Sequence, residues 1–195
     1  MARKRVAILV SGRGSNMVAL IAAAAEPGFP AEIALVVSNQ AGAPALQRAA
    51  AAGIAAVTVE SAGIAKAAFE AALSARLEAA RIDLVCLAGF MRVLSPEFVE
   101  RWHDRVINIH PSLLPAFPGL DTHERALAAG ATLHGCTVHL VRAAVDDGPI
   151  IAQAAVAVVP GDTPESLAER VLAEEHRLYP LALALVCRGF PTSPT

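Results

Sequence analysis

Three short stretches of the chain combine residue types and spacing that could do chemistry. The first is Asn108-Ile109-His110-Pro111, at the end of the expected strand Val106–Ile109. Alternate side chains of a strand face the same way, so Asn108 and His110 share one face while Ile107 and Ile109 take the other. Pro111 biases His110 towards an extended backbone and keeps the pair aligned. An amide beside an imidazole suits an oxyanion developing on a carbonyl carbon. The alternative role for His110 is to tie down the proline-rich loop that follows. The second stretch is Ser11-Gly12-Arg13-Gly14-Ser15-Asn16. Its glycines allow close backbone approach, and the free N–H groups of the helix it opens favour an anion such as a phosphate. It lacks the Gly-Lys-Ser/Thr end of a Walker loop, and Met17 stands where a dinucleotide fingerprint needs its third glycine. It could also be an ordinary tight turn. The third is Val145-Asp146-Asp147-Gly148-Pro149, a strong turn signal in which one aspartate could face and orient His110.

The elements that must hold these stretches follow from periodicity. Arg5–Val10 is a continuous β-branched run that ends at the glycine loop, the pattern of a strand buried on both faces. The alternation continues with strands at Ile33–Val37, Ala56–Val59, Asp83–Ala88 and Val106–Ile109. Between them, helices are expected from Ser15 or Asn16 to Ala25, at Pro44–Ala52, at Lys66–Arg81 and at Pro96–Trp102. Phe69, Leu73 and Leu77 form an apolar stripe on the third of these. This rhythm predicts an α/β fold with a doubly wound, mostly parallel, Rossmann-like sheet. Beyond Gly130, Gly135–Val141 and Ile150–Val159 flank the Asp146–Pro149 turn and predict an antiparallel C-terminal extension. Pro164 to about Cys187 reads as a long final helix capped by Thr163 or Asp162, with Pro180 expected to kink or interrupt it and a loose tail at Gly189–Thr195. We expect one domain over residues 1–195, with a parallel nucleotide-binding half (1–110) and a second half (111–187) carrying the remaining site and the final helix.

Composition bounds the function. The 195 residues are 55% hydrophobic and 17% charged, with a net charge of −2. No basic excess exists to neutralise a nucleic-acid backbone. Mean hydropathy is +0.50, yet the longest apolar stretches fall far short of the ~20 residues that span a bilayer. Cys86, Cys136 and Cys187 form no C-x-x-C pair, which argues against a disulfide framework or a cysteine zinc site. His134 and His139, five apart on one strand, make a poor metal pair. These features predict a cytoplasmic protein with small-molecule substrates, no nucleic-acid or membrane partner and no metal; its oligomeric state, monomer or homodimer, stays open.

Asn108-Ile109-His110-Pro111-Ser112-Leu113-Leu114-Pro115 resembles the signature of the folate-dependent formyltransferases. Ala88-Gly89-Phe90-Met91-Arg92-Val93-Leu94 is similar to their folate-binding strand end. Gly14-Ser15-Asn16 and Ala116-Phe117-Pro118-Gly119-Leu120 resemble the branch that acts on glycinamide ribonucleotide. The resemblance runs from about Arg5 to Leu185 with spacings intact. It implies transfer of the formyl group of 10-formyltetrahydrofolate, as co-substrate, to the glycinamide amine, a step of de novo purine synthesis. It assigns catalysis to Asn108, His110 and Asp146. It assigns ribonucleotide binding to Gly14, Ser15, Asn16 and Glu175. Folate binding falls to Lys66, Met91, Arg92, Val93 and Leu94, with Arg142, Ala143, Ala144 and Val145 meeting the pterin through their backbone.

Departures from the family pattern are Lys66 for an arginine, which loses the planar fork, and Leu172 for a polar residue near the ribose. Formyltetrahydrofolate hydrolysis and methionyl-tRNA formylation are sibling alternatives. The hydrolase usually carries an N-terminal regulatory domain, whereas the first strand here begins at Arg5. The tRNA enzyme usually carries a further domain, for which neither length nor charge leaves room. A non-catalytic nucleotide-binding module is the alternative from another class.

Overall fold

The run at Arg5–Val10 becomes an interior strand of a seven-stranded sheet in the computed structural model, which describes residues 2–189. In chain order the elements are β1 (Lys4–Val10), α1 (Ser15–Ala25), β2 (Ala31–Ser38), α2 (Pro44–Ala51), β3 (Ala56–Thr58), α3 (Lys66–Ala79) and β4 (Leu84–Leu87). They continue with α4 (Pro96–Arg101), β5 (Val106–His110), α5 (Thr122–Ala128), β6 (Leu133–Leu140), β7 (Ile150–Ala157) and α6 (Pro164–Cys187). The strand order is β3-β2-β1-β4-β5-β6-β7. The pairings from β3 to β5 are parallel, and β5–β6 and β6–β7 are antiparallel. The doubly wound sheet with an antiparallel C-terminal extension is therefore the observed architecture.

Alternation along β1 divides the core. Val6, Ile8 and Val10 pack with Met17 and Leu20 of α1, Ala45 and Ala49 of α2, and Leu167, Val171 and Tyr179 of α6. Ala7 and Leu9 pack on the other side with Phe69, Leu73 and Leu77 of α3 and Phe98 and Trp102 of α4. The apolar stripe on α3 is buried as its spacing predicts. Residues Val6–Val10 are buried on both faces, which is why that part of β1 reads as an unbroken apolar run after Lys4 and Arg5.

Two elements differ from expectation. The helix α5 has no counterpart in the sequence expectation; its seven residues are too few for a periodic signal. Its N-cap, Asp121, takes a left-handed backbone with φ of 56° and makes no side-chain cap. Pro180 does not interrupt α6, which runs unbroken for 24 residues. Residues on both sides of the proline anchor that helix: Leu178, Tyr179, Ala182 and Leu183 are buried. The Tyr179 hydroxyl lies 2.9 Å from the Leu87 carbonyl and 3.1 Å from that of Ile107. Packing thus offsets the hydrogen bond that proline removes. The expected loose tail lies outside the described residues beyond Gly189. No helix among the described residues is long and apolar enough to cross a membrane.

Candidate active site

The strand β5 ends at His110, and β6 returns beside it in antiparallel register, pairing Asn108 with His139 and His110 with Thr137. Asn108 and His110 share a face, while Ile107 and Ile109 enter the core on the other. His110 is buried. Its Nδ1 lies 3.3 Å from Asp146 Oδ2, and its Nε2 lies 3.0 Å from the Phe117 carbonyl oxygen. Both ring nitrogens therefore face acceptors, which only a doubly protonated ring satisfies in full. The expected facing of an aspartate to His110 is realised by Asp146, whose side chain is 9% exposed. The alternative role of His110, tying down the proline-rich loop, is present as well through Phe117.

His139 completes the cluster, and the sequence reading missed it by weighing it only as a metal ligand. Its Nε2 lies 3.3 Å from Asn108 Nδ2 and 3.7 Å from Asp146 Oδ1, and its Nδ1 lies 2.9 Å from the Leu140 carbonyl. With Nδ1 donating to that carbonyl, Nε2 serves Asn108 when the ring is neutral and Asp146 when it is protonated. The signal that could have found it is the antiparallel pairing of β5 with β6, which puts a same-face partner opposite Asn108. His134 goes elsewhere, with Nε2 3.2 Å from His123 Nδ1, and burial pushes its pKa down to about 4.

Burial by itself would push the Asp146 carboxyl up. The His139 ring, the Gly119 N–H at 2.9 Å and the charge of His110 overcome that and hold it below the ordinary carboxylate range. Asp146 and Phe117 both have positive φ, 55° and 53°. Aspartate tolerates this conformation, whereas a phenylalanine there stores roughly 1–3 kcal/mol of backbone strain. The Phe117 carbonyl at this position faces His110 Nε2.

The cluster forms one wall of a cavity of about 800 Å³, within the range of small-molecule sites. Met91, Arg92, Val93 and Leu94 form a second wall, and Arg142, Ala143, Ala144 and Val145 a third. Met91, Val93, Leu120 and Val145 leave much of their apolar surface exposed around it, a lining suited to a flat aromatic group. Lys66 is exposed at the first turn of α3 and does not line the cavity.

The glycine loop lies outside this cavity. Gly14 caps α1 with φ of 71°, and a Cβ there would come within 2.7 Å of Ala45 Cβ. Ser15 and Asn16 are the first two residues of the helix, where N–H groups have no intrahelical partner. Asn16 Nδ2 donates to Glu175 Oε2 at 2.7 Å, which joins α1 to α6. Among the described residues, Asn16 Oδ1 is buried without a partner. Burial raises the Glu175 carboxyl above its ordinary value, with the Asn16 bond opposing. An unpartnered acceptor and a raised carboxyl beside a helix start suit a hydroxylated ligand with an anionic end. Thus the expected residues fall into two clusters, with Lys66 in neither.

The chain is similar to known proteins along nearly its whole length. Residues 4–183 match the family described as Formyl transferase. The chain is 50% identical over 190 residues, 96% of its length, to a trifunctional purine biosynthetic protein adenosine-3 of Drosophila pseudoobscura pseudoobscura, of which it spans 14%. It is 43% identical over 185 residues to phosphoribosylglycinamide formyltransferase of Escherichia coli (strain K12), covering 94% of this chain and 87% of that protein. The crystal structure of a phosphoribosylglycinamide formyltransferase from Brucella melitensis superposes with a TM-score of 0.92 at 55% identity, covering 98% of this chain and all of that one.

Proposed function

Since the chain belongs to the formyl transferase family, we propose that it transfers the formyl group of 10-formyltetrahydrofolate to the amine of glycinamide ribonucleotide, a step of purine biosynthesis. The names and full-length coverage of the Escherichia coli and Brucella melitensis relatives support the substrate pair. The observation that carries the chemistry is the cluster of Asn108, His110, His139 and Asp146 at the wall of the large cavity.

The neutral amine attacks the formyl carbon, so a C–N bond forms and the carbonyl oxygen takes the negative charge. Asn108 has a second N–H beyond the one near His139, and His110 has the Nε2–H that otherwise meets Phe117. Both donate to the oxyanion, each contributing about 3 kcal/mol of transition-state stabilisation. Asp146, held ionised, orients the His110 ring through Nδ1. Collapse breaks the bond to the folate nitrogen, and one proton passes from the amine to that leaving nitrogen through water. Folate lies against Met91–Leu94 and Arg142–Val145, and the ribonucleotide phosphate meets the start of α1 at Gly14–Asn16, with Glu175 at the sugar.

Steady-state kinetics of Asn108→Ala and His110→Ala test this reading. Each should lose about 10²- to 10³-fold in kcat, with ribonucleotide affinity unchanged by calorimetry. Turnover within a fewfold of wild type in both variants would remove the oxyanion assignment.

A further inference from the structure

The wall at Met91–Leu94 is held from behind by side chains that the reaction above does not use. Ser11, 4% exposed, follows β1 and opens the glycine loop. Its N–H donates to the Gly89 carbonyl at 3.1 Å, and its Oγ accepts the Met91 N–H at 2.8 Å. Among the described residues, these two bonds are the only hydrogen bonds made by the backbone of Gly89–Leu94, and both end on Ser11.

The network beyond Ser11 has a fixed direction. A hydroxyl carries one proton, and since Met91 is the donor, that proton goes to Asn39 Oδ1 at 2.7 Å. The Asn39 amide is thereby oriented, and its Nδ2 donates to Ser61 Oγ at 3.1 Å. Asn39 is itself buried, and its carbonyl accepts the Ser61 N–H at 3.2 Å. Arg92 Nη1 donates to the Ser61 carbonyl at 3.1 Å, with its guanidinium 4.8 Å from the centre of the Phe69 ring. The loops after β1, β2, β3 and β4 thus form one hydrogen-bonded unit that returns to the cavity wall.

We propose that Ser11 and Asn39 are positioning residues, which hold the backbone of Met91–Leu94 in place for the folate co-substrate. The proposal rests on the reading of that wall as the folate site. A serine and an asparagine that only filled space would affect stability and leave substrate affinities alone.

Two measurements on Ser11→Ala and Asn39→Asp test it. Asn39→Asp keeps the acceptor for Ser11 and loses the donor to Ser61. The first measurement is hydrogen exchange of the Met91 amide in the unliganded protein, which needs no turnover. Ser11→Ala should lose the protection of that amide, and Asn39→Asp should lose part of it. The second is a kinetic split. For Ser11→Ala the KM for 10-formyltetrahydrofolate should rise about tenfold, the ribonucleotide KM staying within about twofold, and Asn39→Asp should shift the same way by less. Unchanged Met91 exchange, or unchanged folate KM in variants that fold, would overturn the proposal. If Ser11→Ala does not fold, Asn39→Asp carries both readings. Wild-type protein without formyl transfer would instead overturn the folate reading, while the exchange result would still report whether Ser11 holds the wall.

Discussion

At the scale of the residue, the site is four side chains that set one another's hydrogen bonds. Asp146 sits between two imidazoles and takes a backbone N–H from Gly119. Its carboxyl is held below the ordinary carboxylate range. The unfolded chain therefore binds the proton first as pH falls. The stabilisation from Asp146 is present above the unfolded value and is lost as pH drops through the lower folded one. Asp146→Asn removes this contribution. Thermal melts should show wild type more stable than Asp146→Asn near neutral pH, the gap closing in acid, alongside a reduced kcat. A gap that widens in acid would contradict the assignment. Of these four residues, Asn108 and His110 were legible from strand alternation, whereas the turn signal left Asp146 and Asp147 open and only the family resemblance singled out Asp146. His139 was not legible, because its role depends on which strand lies opposite Asn108.

At the scale of the element, β1, β5 and α6 read clearly from sequence, and α6 has the bounds its capping signals imply. An unbroken apolar run or a long capped helix carries many residues that agree with one another. The helix α5 carries few, and Pro180 obeys packing on both its sides rather than its own propensity. The glycine loop shows an element fixed by one position. Gly14→Ala would place a side chain in a left-handed conformation and drive its Cβ against Ala45. It should cost about 1–3 kcal/mol of stability and raise the KM for the ribonucleotide, as measured by thermal unfolding and kinetics. Stability and KM equal to wild type would show that the loop tolerates another shape.

At the scale of the molecule, the sheet unites stretches far apart in sequence. The cavity takes Met91–Leu94 and Asn108 from the first half of the chain and Arg142–Asp146 from the second. The Asn16–Glu175 bond likewise joins α1 to α6. A division at residue 110 into nucleotide and folate halves is thus a division of sequence and not of the sites. The alternation of strands and helices made the architecture legible, whereas the joining of distant loops appears only once the sheet is assembled. The net charge of −2 fits an anion held locally by one helix start better than a polyanionic acceptor. Product analysis of wild-type protein given 10-formyltetrahydrofolate with and without glycinamide ribonucleotide separates formyl transfer from hydrolysis. One formylated ribonucleotide is expected for each tetrahydrofolate released, and no tetrahydrofolate above background without the ribonucleotide. Release of formate and tetrahydrofolate at the same rate in its absence would contradict formyl transfer.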